Sequence, residues 1–217
     1  MNELGGDIYL AATVTFAGLA LMSGAYVATR RLRPYIAAPP QWNVPLIWGL
    51  MVTGTVWPTI LILANGIDGL VPSVFVWGVV VAAYADLRAR RIPRLASAGF
   101  GILGLAAATT TSMSAGLISA GGVAVVAILL WGASAAFRRD RSVVGLGGGD
   151  IVFVAATAAW LGPYSALVSL VVAGLLAAGV GAALKLNSIP FTAVYALPAV
   201  LGAVFAPQLF WHSGGWA

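Results

Sequence analysis

Apolar stretches long enough to cross a bilayer, separated by short clusters of arginine, run through this chain from end to end. A helix needs about 20 apolar residues to span the hydrocarbon core. Ile8–Ala28, Val44–Ala64 and Leu117–Phe137 reach that length, and the shorter apolar runs at about Val71–Ala85 and Leu95–Ala108 are read as the third and fourth of five spans. The run from Ile151 to Leu184 is too long for one crossing at about 1.5 Å of rise per residue. Its natural break is Leu161-Gly162-Pro163-Tyr164, which leaves a short sixth and a full seventh helix. Ile189–Phe210 is the eighth. Ile8–Ala28 is too long, and lacks the basic flank, for a cleavable signal peptide.

Composition agrees. Only 8% of the 217 residues are charged, against roughly 25% in soluble domains, so there is too little charge to cover a water-exposed globule. The expected fold is all-α: a polytopic integral membrane bundle of about eight transmembrane helices (six to eight fit the pattern). It forms a single membrane domain over residues 1–217, with no soluble domain. The chain has no cysteine, which excludes disulfides, thiolate catalysis and cysteine-ligated zinc.

The 11 basic residues outnumber the 6 acidic ones. They are clumped at Arg30, Arg31 and Arg33, at Arg88, Arg90, Arg91 and Arg94, at Arg138, Arg139 and Arg141, and at Lys185. A nucleic-acid surface would need a continuous basic face, whereas clumps between apolar runs act as topology determinants and contacts for anionic lipid. All fall in the loops after spans one, three, five and seven, so the basic face is expected to be cytoplasmic and both termini outside. Were residues 151–184 one kinked helix, Lys185 would move outside and the carboxyl terminus inside. Trp42 suits the inner interface, and Trp160, Trp211 and Trp216 the outer one.

Of the six acids, Glu3, Asp7 and Asp68 fall in outer segments as surface charge, and Asp140 is balanced by Arg139 and Arg141. Asp86 and Asp150 differ. Asp86 ends the third span, ahead of Ile92-Pro93, and Asp150 opens the sixth, directly after Gly147-Gly148-Gly149. Both are expected at the cytoplasmic membrane boundary, where a carboxylate is costly unless paired, hydrated or protonated. Taken singly, Asp150 could be a helix N-terminal acid favoured by the dipole, and Asp86 an ion-pair partner of Arg90. Taken together, two adjoining carboxyls cannot both ionise cheaply, so one holds a proton while the other acts as base. That is the arrangement that activates water against a peptide carbonyl. The glycines leave room for a substrate strand.

Asp86 with Ile92-Pro93, and Gly147-Gly148-Gly149-Asp150, resemble the two signature motifs of type IV prepilin peptidases, members of the GxGD class of intramembrane aspartyl proteases. Ala159-Trp160-Leu161-Gly162 and Ile189-Pro190-Phe191 are similar to family segments that follow the second Asp, and the resemblance covers roughly residues 45–205. It implies a multi-pass protein of a prokaryotic inner membrane. Such a protein removes a basic leader from prepilins or pseudopilins on the cytoplasmic side, cutting after a glycine. It further implies Asp86 and Asp150 as the catalytic pair, with Gly147, Gly148, Gly149, Ile92 and Pro93 shaping the site. No metal or cofactor is expected, and the expected partners are the prepilin substrate, membrane lipid and a pilus or type II secretion-like assembly machinery.

The chain also departs from the family pattern. The loop Thr29–Asn43 is short and cysteine-free, unlike the cysteine-bearing domain of larger members. The chain therefore looks closer to compact peptidase-only members, without methyltransferase activity. Arg94 stands where Asn is frequent, and Val152 where Lys is common, which bears on substrate choice. His212, the single histidine, falls on the far side from the acids. Two other readings are a transporter using the Asp pair for a cation or proton, which would favour acids at the midplane, and an inactive pilus-assembly scaffold.

Overall fold

The computed structural model describes residues 12, 13, 16, 44–65, 69–89, 92–139, 147–184 and 190–205. Six helices have described bounds: α1 (Val44–Asn65), α2 (Leu70–Ala89), α3 (Arg94–Thr111), α4 (Met113–Arg139), α5 (Gly148–Leu184) and α6 (Phe191–Phe205). Among the described residues there is no strand. Among the described residues, three stretches are long and apolar enough to cross a membrane: Leu70–Leu87, Met113–Ala136 and Gly148–Val180. Val52–Asn65 and Phe191–Val204 are shorter apolar helices. The expected span Ile8–Ala28 lies outside the described residues apart from 12, 13 and 16, as do Glu3, Asp7, Trp42, Asp68, Arg90, Asp140, Lys185, Trp211, His212 and Trp216.

Helix bounds differ from the expected ones mostly by extension. The third expected span continues through Asp86 to Ala89, and the sixth begins at Gly148, taking Asp150 into its first turn. Hydropathy marks only the apolar part of a helix. The hydrogen-bond ladder runs on through the polar residues that follow.

The helices pack as two compact units, Met1–Arg90 and Arg91–Ala217. In the first, α1 packs on α2. Pro58 lies inside α1 and has no N–H, so the Gly54 carbonyl one turn earlier loses its helical donor. Trp77 of α2 supplies the replacement, its Nε1–H donating to the Gly54 oxygen at 2.7 Å. Ser73 adds a second tie, donating to the Pro58 oxygen at 3.2 Å.

In the second unit, α5 packs against α3, α4 and α6. A straight helix of its length would reach roughly 55 Å, well beyond the hydrocarbon thickness. Instead it breaks at Gly162, with φ 78° and ψ 161°, immediately before Pro163. Only glycine tolerates that φ readily, and a residue before proline is held at extended ψ. The break thus falls in the expected segment. Tyr195 of α6 bridges it: its hydroxyl lies 2.6 Å from Thr157 Oγ1 before the break and donates to the Ala166 carbonyl at 3.5 Å beyond it.

Trp160 corrects an expectation. It is not an interfacial residue but almost fully buried, stacked 5.1 Å from the Phe100 ring, with Nε1–H donating to the Phe100 carbonyl at 2.9 Å. Gly104 makes room for it, since a Cβ there would lie 2.7 Å from the indole. The indole N–H, satisfied by a backbone carbonyl, has no need of headgroup water. Leu95, Ile128 and Leu175 face outward, whereas Ser73, Asp86, Thr157 and Thr192 are buried. Apolar side chains outside and polar ones within suit lipid as the solvent.

Candidate active site

Asp86 lies near the C-terminal end of α2. It is 6% exposed, the one ionisable acid or base among the buried described residues apart from tyrosines. Its helical neighbours Ala83, Tyr84 and Leu87 are buried as well. A helix apolar along so much of its length, carrying a carboxyl at one end, fits a group placed there for a purpose other than solubility.

Asp150 belongs to the other unit, and the geometry around it is built from both motifs of that unit. The backbone N–H of Ile151 donates to the Gly147 carbonyl at 3.1 Å, closing the turn that starts α5. This puts Asp150 in the first turn of α5. One carboxylate oxygen, Oδ1, accepts a hydrogen bond of 2.7 Å from Thr192 Oγ1 of α6. The other, Oδ2, folds back over Gly147, so that a Cβ on Gly147 would lie 2.7 Å from it.

The three glycines are each crowded by a different group. A Cβ at Gly148 would lie 2.5 Å from Nη2 of Arg94, with Cζ and Nε at 3.1 and 3.2 Å, so the guanidinium lies over that glycine. A Cβ at Gly149 would lie 2.6 Å from the carbonyl oxygen of Ile92. Ile92 is buried, and Pro93 caps α3 in extended geometry, φ −63° and ψ 120°, with its carbonyl accepting from the Ser97 N–H at 3.1 Å. Proline here needs no N–H partner and sets the entry angle of the helix. Ile92, Arg94 and the glycine run are therefore one interlocked element that carries Asp150.

The structure thus brings Ile92, Arg94, Gly147, Gly148, Gly149 and Asp150 together within the second unit. Asp86, in the first, is defined by its own burial. Two contributions were missed in the sequence. Thr192 is one, although it is the one hydroxyl besides Tyr195 in an otherwise apolar helix. Arg94 is the other: noted as a departure, it packs onto the glycine turn. Val152 is half-buried, one position beyond Ile151.

No curated protein and no solved structure gives a significant match to the chain. A match to the model of the type IV leader peptidase family covers residues 73–182, just over half of the chain and inclusive of Asp86, Ile92, Pro93, the three glycines and Asp150. On that match the chain belongs to the type IV leader peptidase family, a family of proteases.

Proposed function

We propose that this protein is a membrane-embedded aspartic endopeptidase that removes the basic leader from prepilins or pseudopilins, cutting after a glycine at the cytoplasmic face of the inner membrane. The observation that carries the reading is the treatment of two acids within the family-matched segment. Asp86 is buried in an apolar helix, and Asp150 is held by Thr192 at a glycine-lined helix start. Family membership ranks peptidase chemistry above a cation-coupled transporter using the same acids.

The chemistry needs one carboxylate and one carboxylic acid. Asp150, ionised, takes a proton from water as the water oxygen bonds to the scissile carbonyl carbon. Asp86, protonated, gives its proton to the carbonyl oxygen, and a gem-diol results. As the C–N bond breaks, the proton held by Asp150 passes to the leaving nitrogen, and one diol hydroxyl returns a proton to Asp86. One water is consumed, and both groups regain their starting states without any metal or cofactor.

The substrate class fits the site's composition. A glycine on the amino side of the cut and a helix beyond it would place the unhindered, extended part of the substrate beside Gly147–Gly149, with the apolar helix left in lipid. Cleavage of a peptide with a basic leader, a glycine and an apolar helix, in detergent or liposomes, tests the reading. Wild type should cut after the glycine, and Asp86→Asn and Asp150→Asn should each be inert. Cleavage by both variants at the wild-type rate would refute the aspartyl mechanism. No cleavage of any candidate pilin would favour a scaffold.

A further inference from the structure

Thr192 reaches Asp150 from a helix that holds neither acid. It is the second residue of α6, directly after Pro190-Phe191, and its side chain is fully buried. Its hydroxyl donates to Asp150 Oδ1 at 2.7 Å across 42 residues of sequence. Three residues on, Tyr195 is tied at 2.6 Å to Thr157 of the same α5 helix, and Phe153 packs edge-on against the Tyr195 ring at 6.3 Å. Positions i and i+3 share one helix face, so α6 is latched to α5 at two points. The rotation that points Thr192 at Asp150 is therefore set by packing rather than left to a single bond.

The direction of that bond has a chemical consequence. A hydroxyl donating to Oδ1 occupies that oxygen and leaves Oδ2 as the one to take up a proton, and such a bond is stronger to a carboxylate than to the neutral acid. Oδ2 is left over Gly147. Rotation of the carboxyl is restricted from both sides, one by a donor and one by close approach to backbone.

We propose that Thr192 is a positioning residue that fixes the Asp150 carboxylate in the base role, leaving the proton of the pair to Asp86. The proposal rests on the reading of Asp86 and Asp150 as the catalytic pair. It divides their labour through a side chain that touches neither substrate nor water in the step.

Steady-state cleavage of the same leader peptide by the full chain in detergent tests it, with Thr192→Val, which keeps the shape and removes the hydroxyl, beside Thr192→Ser, which keeps the hydroxyl. A hydrogen bond to a charged group corresponds to about 10- to 100-fold in rate. Thr192→Val is therefore expected to lose about that factor in kcat with KM nearly unchanged, and Thr192→Ser to restore most of it. Wild-type kcat in Thr192→Val, or equal loss in Thr192→Ser, would overturn the positioning role. If Thr192→Val does not fold, Thr192→Ser against Thr192→Ala repeats the comparison on a smaller side chain, and equal kcat in those two overturns it. Asp86→Asn and Asp150→Asn run alongside. Their inertness with an unaffected Thr192→Val defeats this inference alone, whereas wild-type cleavage by both defeats the aspartyl reading beneath it.

Discussion

The carbonyl oxygen of Ile92 stands over Gly149 so closely that a Cβ on the glycine would lie 2.6 Å from it. The contact joins the residue before Pro93 to the residue before Asp150, so the two sequence motifs meet through backbone as well as side chains. Backbone cannot swing aside as a side-chain tip can. Gly149→Ala is therefore expected to be the most destabilising alanine substitution in the glycine run, by about 1–3 kcal/mol. Reversible unfolding in mixed micelles reads it, and wild-type stability would contradict the geometry.

Gly147→Ala has a different signature. The added methyl would displace the Asp150 carboxylate, since it would lie 2.7 Å from Oδ2. Misplacing a reacting group by about 1 Å costs on the order of 100-fold in rate. A large fall in kcat with little change in unfolding free energy is expected, measured by leader-peptide cleavage beside the unfolding curve.

Gly148→Ala meets the guanidinium of Arg94, the end of a flexible and exposed side chain. The arginine can move, so the stability change should stay within about 0.5 kcal/mol. In an Arg94→Ala background it should vanish. A larger loss that survives removal of Arg94 would mean that something other than the guanidinium limits that position.

Trp77 and Pro58 should be energetically coupled. Trp77→Phe strands the Gly54 carbonyl that Pro58 leaves without a helical donor, at a cost of about 1 kcal/mol. Pro58→Ala supplies an N–H to that carbonyl, and in its presence Trp77→Phe should cost measurably less. A double-mutant cycle that adds without coupling would remove this account of the α1–α2 contact.

Gly162→Ala places a side chain at φ 78°, ψ 161°, a region essentially reserved for glycine, at a cost of about 1–3 kcal/mol. Gly174, in the same helix, has nothing within 4 Å of a Cβ. Gly174→Ala should be neutral or stabilising by up to about 1 kcal/mol. Equal behaviour of the two variants in unfolding measurements would argue against the break at Gly162.

Much of this molecule could be read from the order of its residues, because lipid imposes a simple rule on sequence. Each crossing must be apolar and helical, so hydropathy locates the cores of α2, α4 and α5, and Gly162-Pro163 marks the break in the last of these. The same rule singles out Asp86 and Asp150, since a carboxyl at the end of an apolar run is conspicuous. Other features depended on which helix faces meet. Trp160 has the composition of an interfacial anchor, and only the packing of α3 against α5 buries it beneath Phe100. Thr192 is one hydroxyl in an apolar helix until the Tyr195–Thr157 latch sets the rotation of α6 and turns it toward Asp150. The three glycines look interchangeable in sequence. Tertiary contact separates them, one against a carboxylate, one against a guanidinium and one against a carbonyl. Hydropathy is a property of each segment by itself, whereas those contacts depend on how one helix is rotated against another, and the packing of complete side chains sets that rotation.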